Sequence, residues 1–303
     1  MATHELPAAV ADEVTAPAKR PEDDRRGGQT ALRAWLGNRQ ARIGVGIIVA
    51  LAAFCYLGPL FYHTNQVTVE LNGATLPPGA GHPLGTDGYG YDVLGRLMVG
   101  GQSSLELGFA VAIATTVIGT LYGAIAGWLG GIVDMVMMRV IDTLLAVPAL
   151  VLLLILVNIF APNLLMIILL LTALSWLGTA RLVRGEVISL RSREYVQAAK
   201  AVGGDSWWII RTHLVPNAFG VIIVSATFTI ADAILTLSAL SFLGLGLPPP
   251  AADWGTMLTD GLNYLFDGYW WMVYPPAIIL IITVIAFNLV GEAIRVSLDV
   301  RLR

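Results

Sequence analysis

Residues 194–216 read EYVQAAKAVGGDSWWIIRTHLVP, and this polar, partly amphipathic stretch separates two long apolar runs of the chain. It contains two adjacent alanines and then Gly203, and it ends in Pro216 directly before the next apolar run. Its charged side chains and interrupted helix exclude it from hydrocarbon, where backbone polar groups find no water. We therefore predict that it lies outside a membrane and that another molecule docks on it.

The composition of the whole chain indicates an integral membrane protein. The 303 residues are 56% hydrophobic and 13% charged, whereas a soluble domain carries about 25% charged residues. The mean hydropathy is +0.73, and the apolar blocks reach the roughly 20 residues that a helix needs to cross a bilayer. The one cysteine, Cys55, excludes a disulfide within the chain and a cysteine-based metal cluster.

The order of the apolar blocks predicts an all-α fold with six transmembrane helices. The N-terminal tail, residues 1–42, has little apolar periodicity and is predicted to be largely disordered. Residues 63–102 are polar and rich in Gly and Pro, which predicts a long loop, and residues 299–303 form a short C-terminal tail. The predicted membrane-spanning helices cover residues 43–62, 103–128, 133–160, 163–182, 217–247 and 271–297; the last five form a core domain at 103–298.

Lysine and arginine are distributed unevenly between the two sides of the predicted membrane. Seventeen of the 18 lie in the tails, in or beside residues 194–216, or at span ends on the same side, and only Arg96 lies opposite. Cytoplasmic segments carry an excess of Lys and Arg. We therefore predict cytoplasmic N and C termini, a cytoplasmic 194–216 segment and an extracytoplasmic loop at 63–102.

Four glycines recur at intervals of four residues in and directly after the second predicted span. On a helix this spacing places them on one nearly flat face, where another backbone can approach closely. We therefore prefer a role in helix packing over a direct role in a substrate path. The glycines are Gly119, Gly123, Gly127 and Gly131.

A few ionisable residues lie within the predicted spans. A charge at the bilayer centre costs about 2.5–3.5 kcal/mol on insertion scales, so each such residue needs a partner, water or a function. Arg139 and Asp142 are three residues apart and are predicted to pair on one helix face, as are Glu292 and Arg295. Asp232 has no basic neighbour at helical spacing, and two interpretations stay open: an acid that faces a water-filled translocation path and attracts a cationic group, or a hydrogen bond to a neighbouring helix.

The sequence contains none of the motifs that would make this chain an enzyme. There is no Gly-x-x-x-x-Gly-Lys-Ser/Thr phosphate loop for ATP, no His-Glu-x-x-His and no Gly-x-Ser-x-Gly. No two of the four histidines lie at metal-ligand spacing. We therefore predict a non-catalytic membrane subunit with no catalytic residue and no metal site.

Residues 198–216 resemble the cytoplasmic coupling motif of ABC importer permeases. The motif has Glu-Ala-Ala, then three residues, then Gly, then an apolar stretch that ends in Leu-Pro. Gln197 stands where the family usually has Glu, His213 takes an apolar position and Val215 replaces Leu. The matching residues are Ala198, Ala199, Gly203 and Pro216.

Three further stretches resemble the same family, in the same order along the chain. They are similar to landmarks of the second, C-type permease of dipeptide, oligopeptide and nickel importers, and the resemblance covers about residues 30–303. The stretches are HPLGTDGYGYDVLGRL at 82–97, LSFLGLGLPPPAADWGTML at 240–258 and FNLVGEAIRVSLDVRLR at 287–303.

The resemblance implies a type I ABC importer permease fold in the cytoplasmic (inner or plasma) membrane. It implies a heterodimer with a homologous permease, two ATPase subunits or domains that bind ATP and Mg, and an extracytoplasmic substrate-binding protein. This chain would need no cofactor and no nucleic acid, and it would form half of the pathway for di- or oligopeptides. The residues implied for coupling to the ATPases are Glu194, Gln197, Ala198, Ala199, Gly203 and Pro216.

Other functions remain as alternatives. Within the same family, the cargo could be nickel or another small solute, although no His or Cys lies where a metal path would need one. A stand-alone channel or secondary transporter would need its own ion or proton site, and intramembrane charges are sparse. A membrane enzyme has the least support, because the sequence lacks a catalytic constellation.

Overall fold

The structure is a computed structural model, and it describes residues 37–160 and 162–299. Within these residues the secondary structure is helical, with isolated bridge pairs and no extended strand. Most of the two predicted tails falls outside the described residues. The helices are α1 (Arg39–Phe61), α2 (Val93–Leu129), α3 (Gly131–Leu145), α4 (Ala149–Ile159), α5 (Leu164–Arg191), α6 (Glu194–Ala201), α7 (Ser206–Ile209), α8 (Val215–Leu240), α9 (Trp254–Leu265) and α10 (Tyr274–Asp299).

The described residues contain five helical runs that are long and apolar enough to cross a membrane. A sixth is completed if α3 and α4 count as one bent span. The predicted all-helical fold is confirmed for this part of the chain, and the number of spans is five or six by length and composition. Two short 3₁₀ turns, at Leu71–Gly73 and Trp270–Met272, complete the connections.

The predicted continuous span at 133–160 is two helices. Helices α3 and α4 meet at an angle of 75°, and the break contains Pro148, which takes the N-cap position of α4. Proline has no backbone N–H and disfavours helical geometry in the residue before it. Hydropathy therefore predicted the apolar stretch at 133–160, whereas Pro148 accounts for its division into two helices.

Helix α2 begins at Val93 rather than at the predicted residue 103. Its N-cap is Asp92, whose side-chain Oδ1 accepts the Gly95 N–H at 2.7 Å. The glycines that suggested a loop lie inside the helix at points of close approach. A side chain at Gly101, for example, would collide with the Cys55 sulfur and the Trp254 ring, so glycine here is needed for packing.

Helix α2 is the centre of the bundle and contacts α5, α8 and α1, while α10 packs on α8 and α1. Its glycine face lies against α5. A Cβ at Gly119 would lie 2.7 Å from the Thr179 Cβ, and one at Gly127 would lie 2.9 Å from the Arg184 carbonyl oxygen. A Cβ at Gly123 would collide with the Ala180 carbonyl oxygen. These three glycines let the two backbones approach closely.

The packing role predicted for Gly131 is not present. Helix α2 ends at Leu129, and Gly130 and Gly131 both have positive φ, at 64° and 55°. A Cβ at Gly131 would meet nothing within 4 Å. Since this glycine lies beyond the end of α2, the four-residue spacing no longer places it on the same face, and it serves the turn into α3.

The two ends of the bundle carry different connections. We call the end with residues 62–92 and 246–273 the loop end, and the end with residues 192–214 the coupling end. Each has its own buried apolar cluster. The loop-end cluster includes Val93, Leu97, Trp254, Trp271 and Met272, and the coupling-end cluster includes Trp128, Val183, Val187, Val196, Ile209 and Leu214.

Hydrogen bonds at the loop end join segments that are far apart in sequence. The Trp254 indole N–H donates to the Leu97 carbonyl at 3.0 Å, and the Trp271 indole N–H donates to the Thr86 carbonyl at 3.2 Å. Buried Arg96 donates to the Pro250 carbonyl at 2.8 Å, and its guanidinium lies 4.3 Å from the centre of the Tyr91 ring. The stretches 82–97 and 240–258 therefore form one unit.

Asp92 links three parts of the loop end besides capping α2. Its Oδ2 accepts the Tyr62 hydroxyl at 3.0 Å and lies 3.0 Å from His82 Nδ1. Asp92 is buried, so these contacts compensate for the water that the carboxylate loses. Burial together with the bond to Asp92 raises the pKa of Tyr62 to about 12, so its hydroxyl stays protonated as a donor.

Candidate functional site

The polar segment 194–216 folds as two short helices at the coupling end. Helix α6 begins at Glu194, and α7 begins after Asp205. The Asp205 Oδ2 accepts the backbone N–H groups of Trp207 at 2.9 Å and Trp208 at 3.3 Å. This N-cap satisfies donors that the helix itself cannot pair, so local sequence signals specify the turn.

Apolar side chains fix the segment to the bundle. Val196 of α6 and Ile209 of α7 are buried in the coupling-end cluster, against Val183 and Val187 of α5. Helix α7 continues through the π-turn Ile210–Leu214 into α8. The segment is therefore packed against the ends of the long helices and is continuous with one of them.

The two adjacent alanines have different surroundings. Ala199 packs against the coupling-end cluster, whereas Ala198 is exposed. Successive residues of a helix point about 100° apart, so the two cannot share one surface. Ala198 therefore belongs to the outward face and Ala199 to the packed face.

Gln197 fastens α6 to the end of α5. Its side-chain Nε2 donates to the Arg191 carbonyl at 2.8 Å. Arg191 in turn donates through Nη1 to the carbonyls of Gly127 and Trp128, both at 3.2 Å, at the end of α2. A glutamate at position 197 would have no N–H to give, so the amide at this position makes a bond that a carboxylate cannot make.

Gly203 and its neighbour have separate roles. Gly203 has φ of 83° and open space around its Cβ position, so it provides the left-handed turn after α6. Close backbone approach occurs at Gly204 instead, where a Cβ would lie 2.7 Å from the Ala199 carbonyl oxygen. Gly203 therefore provides the sharp turn, and Gly204 allows the close approach.

Pro216 lies inside a helical run that extends over Ser206–Leu245, and not at the start of a separate span at 217. The π-turn directly before it pairs the Val215 N–H with the Ile210 carbonyl. Proline cannot donate to the preceding turn, and Asn217 Nδ2 donates to the His213 carbonyl at 2.5 Å nearby. The change of helical register accommodates the proline without breaking the helix.

The side of the segment that faces away from the bundle is small and exposed. Val202 is 85% exposed, although valine is an apolar residue that is most often buried in folded proteins. We define the docking face as the exposed residues Glu194, Gln197, Ala198, Ala201 and Val202.

Ion pairs connect α3 to α5, in an arrangement that differs from the predicted one. Asp142 contacts Arg181 of α5, and not Arg139 on its own helix. Asp134 accepts two hydrogen bonds from Arg184, one from Nε and one from Nη2, the latter at 2.6 Å. Because α3 packs on α5, the Arg181 guanidinium lies closer to Asp142 than Arg139 does.

The predicted pair of Glu292 and Arg295 is present on α10, with 3.7 Å between Oε2 and Nη1. Asp232 lines an open cleft of about 720 Å³ between α5, α8 and α10. Its carboxylate is exposed, and within the described residues it makes no ion pair or side-chain hydrogen bond. The hydrogen bond to a neighbouring helix, one of the two interpretations of Asp232, is thus not formed in this part of the chain.

Comparison with known proteins identifies the family of this chain. Residues 89–303 match the family described as binding-protein-dependent transport system inner membrane component. The chain belongs to this family. The matched residues include the loop-end unit from Tyr89 onward, the glycine face, the cleft and the docking face, and the protein is accordingly a multi-pass component of the cytoplasmic membrane.

Individual relatives extend this likeness over most of the chain. The dipeptide transport system permease protein DppC of Bacillus subtilis (strain 168) is 40% identical over 275 residues, which cover 91% of this chain and 86% of the relative. The oligopeptide transport system permease protein OppC of the same organism is 39% identical, covering 90% and 89%. The probable D,D-dipeptide transport system permease protein DdpC of Escherichia coli (strain K12) is 37% identical, covering 84% and 85%.

Several residues of this inner membrane component were not singled out by sequence reasoning. Arg191, Arg184 and Gly204 tie the segment and α3 to the bundle. The second glycine of the Gly-Gly pair was a visible signal for Gly204. The arginines had appeared only as positive charges that set orientation, because their partners lie about 50 or more residues away in the chain.

The described residues hold no group of three or more His, Cys, Asp or Glu side chains arranged to bind a metal ion. The relatives are named as permease proteins, which fits a non-catalytic membrane subunit. The described residues thus present two features outside the packed core: the exposed docking face at the coupling end, and a largely apolar cleft that contains Asp232 and Arg295.

Proposed function

We propose that this chain is one of two homologous permease subunits of an ATP-driven peptide importer. It pairs with the second permease to enclose the pathway, and two ATPase subunits that bind ATP and Mg attach at the coupling end. An extracytoplasmic binding protein delivers di- or oligopeptides to the loop end. The chain itself has no phosphate loop, so the energy of ATP hydrolysis must reach it from those partners.

The observation that carries this proposal is the docking face at 194–202. It is a folded, exposed surface outside the long spans that includes the small residues Ala198 and Ala201, and it is held from behind by buried Val196 and Ile209. Exposed Ala198 and Ala201 let a partner approach the helix backbone, as in a helix that seats in a groove. A channel or secondary transporter that worked alone would have no use for such a surface.

The contacts behind the docking face suggest how a push on it would move the spans. Gln197 bonds to the end of α5, and Arg191 bonds the end of α5 to the end of α2. Helix α7 runs into α8 through a π-turn without a loop. Contiguous packed and hydrogen-bonded elements of this kind carry mechanical coupling. Closure of the ATPases would then rotate α2, α5 and α8 together between outward-open and inward-open states.

The distribution of basic residues supports the proposed orientation. The coupling end carries Lys and Arg and the loop end carries Arg96, which supports a cytoplasmic coupling end with cytoplasmic termini. Ala201 and Phe266 are both exposed. A membrane-impermeant thiol reagent should label the Ala201→Cys variant only from the cytoplasmic side and the Phe266→Cys variant only from the outer side.

The cleft supports the assignment of Asp232 to the pathway. Polar side chains from two helices line it: Thr179 of α5, and Ser225 and Thr229 of α8. An acid in a span is costly unless water or a partner meets it, and this one faces the open cleft. The second permease would cover the open side of the cleft. The cleft would then form half of a water-filled translocation pathway. The relatives' names point to peptides as the cargo.

The proposal is tested by reconstituting the chain with its second permease, ATPases and binding protein in proteoliposomes. ATP-dependent uptake of a dipeptide or tripeptide is the expected result, and uptake of Ni²⁺ instead would favour the nickel alternative. Uptake by the chain alone, without ATPases, would favour a stand-alone transporter.

The docking face is tested in the same system with Ala198→Trp. The indole blocks close approach of the partner helix without touching the packed face, so we expect peptide-stimulated ATP hydrolysis and uptake to fall at least 10-fold. Ala198→Ser is the matched control and should keep both. Normal coupling in the tryptophan variant, in a fully assembled complex, would contradict a docking role for this face.

A further inference from the structure

The cleft that contains Asp232 has opposite charges at its two ends. On α8 the lining residues recur at three- and four-residue intervals, from Val221 at the coupling end to Asp232 toward the loop end. On α10 the cleft is lined by Arg295, which lies close to the coupling end of the bundle. A single acid and a single base therefore lie at different depths of one cleft.

The acid end is free to bind a ligand. The Asp232 carboxylate is exposed, and it has no ion pair or side-chain hydrogen bond to any residue that the structure describes. One turn further on, the Thr229 hydroxyl donates to the Ser225 carbonyl at 2.9 Å, which leaves its lone pairs available to a donor. A ligand ammonium group would find a carboxylate and a hydroxyl oxygen at this end.

The base end is also available. The Arg295 side chain is 63% exposed, and its contact with Glu292 is 3.7 Å long, which is beyond hydrogen-bond distance. Exposed pairs of this kind hold their partners weakly. The planar guanidinium is suited to bind a carboxylate through two parallel hydrogen bonds, and it can exchange Glu292 for a ligand carboxylate.

The separation of the two ends matches a short peptide. Gly291 of α10 lies beside the Phe228 ring of α8, at 3.1 Å for a Cβ built on the glycine. Asp232 is one turn from Phe228 toward the loop end, and Arg295 is one turn from Gly291 toward the coupling end, so their Cα atoms are offset by about 12 Å along the bundle. An extended chain advances about 3.3–3.6 Å per residue, so about three to four residues span this distance.

We propose that the cleft binds short zwitterionic peptides in one orientation, with the ammonium group at Asp232 and the carboxylate at Arg295. This inference rests on the proposed import function and specifies how its substrate lies in the pathway. A peptide that enters from the loop end then travels with its carboxylate leading. Between the termini, the lining includes the Ser225 hydroxyl, which lies 3.3 Å from the hydroxyl of buried Thr179, and the apolar side chains of Val221, Val224 and Phe228.

The test compares free, N-acetylated and C-amidated trialanine as substrates of the reconstituted complex. The binding protein is the same in every assay, so a change in the ratio of free to blocked peptide uptake arises in the permease. Asp232→Asn should reduce the preference for free over N-acetylated peptide by about 10-fold and leave the preference over the amide unchanged. Arg295→Gln should reduce the preference for free over C-amidated peptide by about 10-fold and leave the preference over the N-acetylated peptide unchanged.

Matched controls are Asp267→Asn and Arg139→Gln, which remove an exposed acid and an exposed base elsewhere and should change neither ratio. Asp232→Glu and Arg295→Lys should restore most of each preference. Unchanged ratios in both Asp232→Asn and Arg295→Gln, or an equal loss of both preferences in each, would overturn the inference while wild-type uptake stands. Absence of ATP-dependent peptide uptake in the wild-type complex would instead overturn the proposed function, and with it this inference.

Discussion

The loop end and the coupling end of the bundle are held together by different kinds of contact. At the loop end, side chains bond to backbone groups more than 150 residues away, as in Trp254 to Leu97 and Trp271 to Thr86. At the coupling end, Gln197 bonds to Arg191 only six residues away, Arg191 bonds to the end of α2, and buried apolar side chains supply the rest of the anchoring. The loop end is thus locked by long-range pairing, whereas the coupling end presents an exposed face on a local scaffold.

This difference has a functional reason under the proposed mechanism. A surface that receives force must be accessible and must follow a partner, so its outward residues cannot all be packed. Elements that move are drawn from the less stable parts of a fold. The loop end can be rigid, because it has only to hold α2, α9 and α10 in a fixed relation.

The largest expected effect is at the loop end. Trp254 is 0% exposed and donates to Leu97, so Trp254→Ala removes a large buried ring and a hydrogen bond, and should cost about 3–5 kcal/mol of stability. The measurement is thermal unfolding of the purified protein in detergent, monitored as the decrease in its folded fraction with temperature. Trp270→Ala, at a 49% exposed neighbour in the same region, should change stability far less, and equal losses would contradict a locked loop end.

An intermediate effect is expected at the coupling end. Arg191→Ala removes two charge-assisted bonds to the end of α2, which should cost about 1.5–3 kcal/mol locally. Hydrogen exchange should become faster in α6 and α7 while the loop-end amides stay protected. Exposed Arg193 provides the control, since Arg193→Ala should leave exchange unchanged. Faster exchange at both ends would show that the two are not separate units.

The smallest effect concerns pH at the loop end. Burial, followed by the nearby Asp87 carboxylate and more weakly by Asp253, raises the pKa of Asp260, while Arg96 opposes the shift. A carboxyl with a raised pKa binds its proton more tightly in the folded state, so stability falls as pH rises from about 3.8 through the folded pKa. Asp260→Asn should therefore raise the melting temperature at neutral pH and make little difference near pH 4.

The matching control for this prediction is Asp267→Asn, which removes an exposed acid in the same region and should not alter the pH dependence. Asp87 keeps its own raised pKa, for which burial is the main cause, so part of the dependence remains in Asp260→Asn. A variant that is less stable than wild type at neutral pH would show that the Asp260 charge stabilises the loop end.

Features that depend on nearby residues could be predicted from the sequence. Long apolar runs predicted helices of membrane-spanning length, and the described residues contain five such runs. Predictions that combined local spacing with a guess about neighbours were less accurate. Asp142 was matched to Arg139 on its own helix, but its partner is Arg181 on α5. Gly131 continued the glycine spacing, although the helix had already ended.

The sequence by itself determined that the chain is a helical membrane protein and which family it resembles. These properties follow from hydropathy, charge and short motifs, each of which acts over a few residues. Only the tertiary structure decided that α2 starts at Val93, that Ala198 faces outward while Ala199 packs, and that Asp232 and Arg295 line one cleft. Those features depend on which helices are neighbours and at what rotation, and that is settled by packing between residues that are distant in the chain.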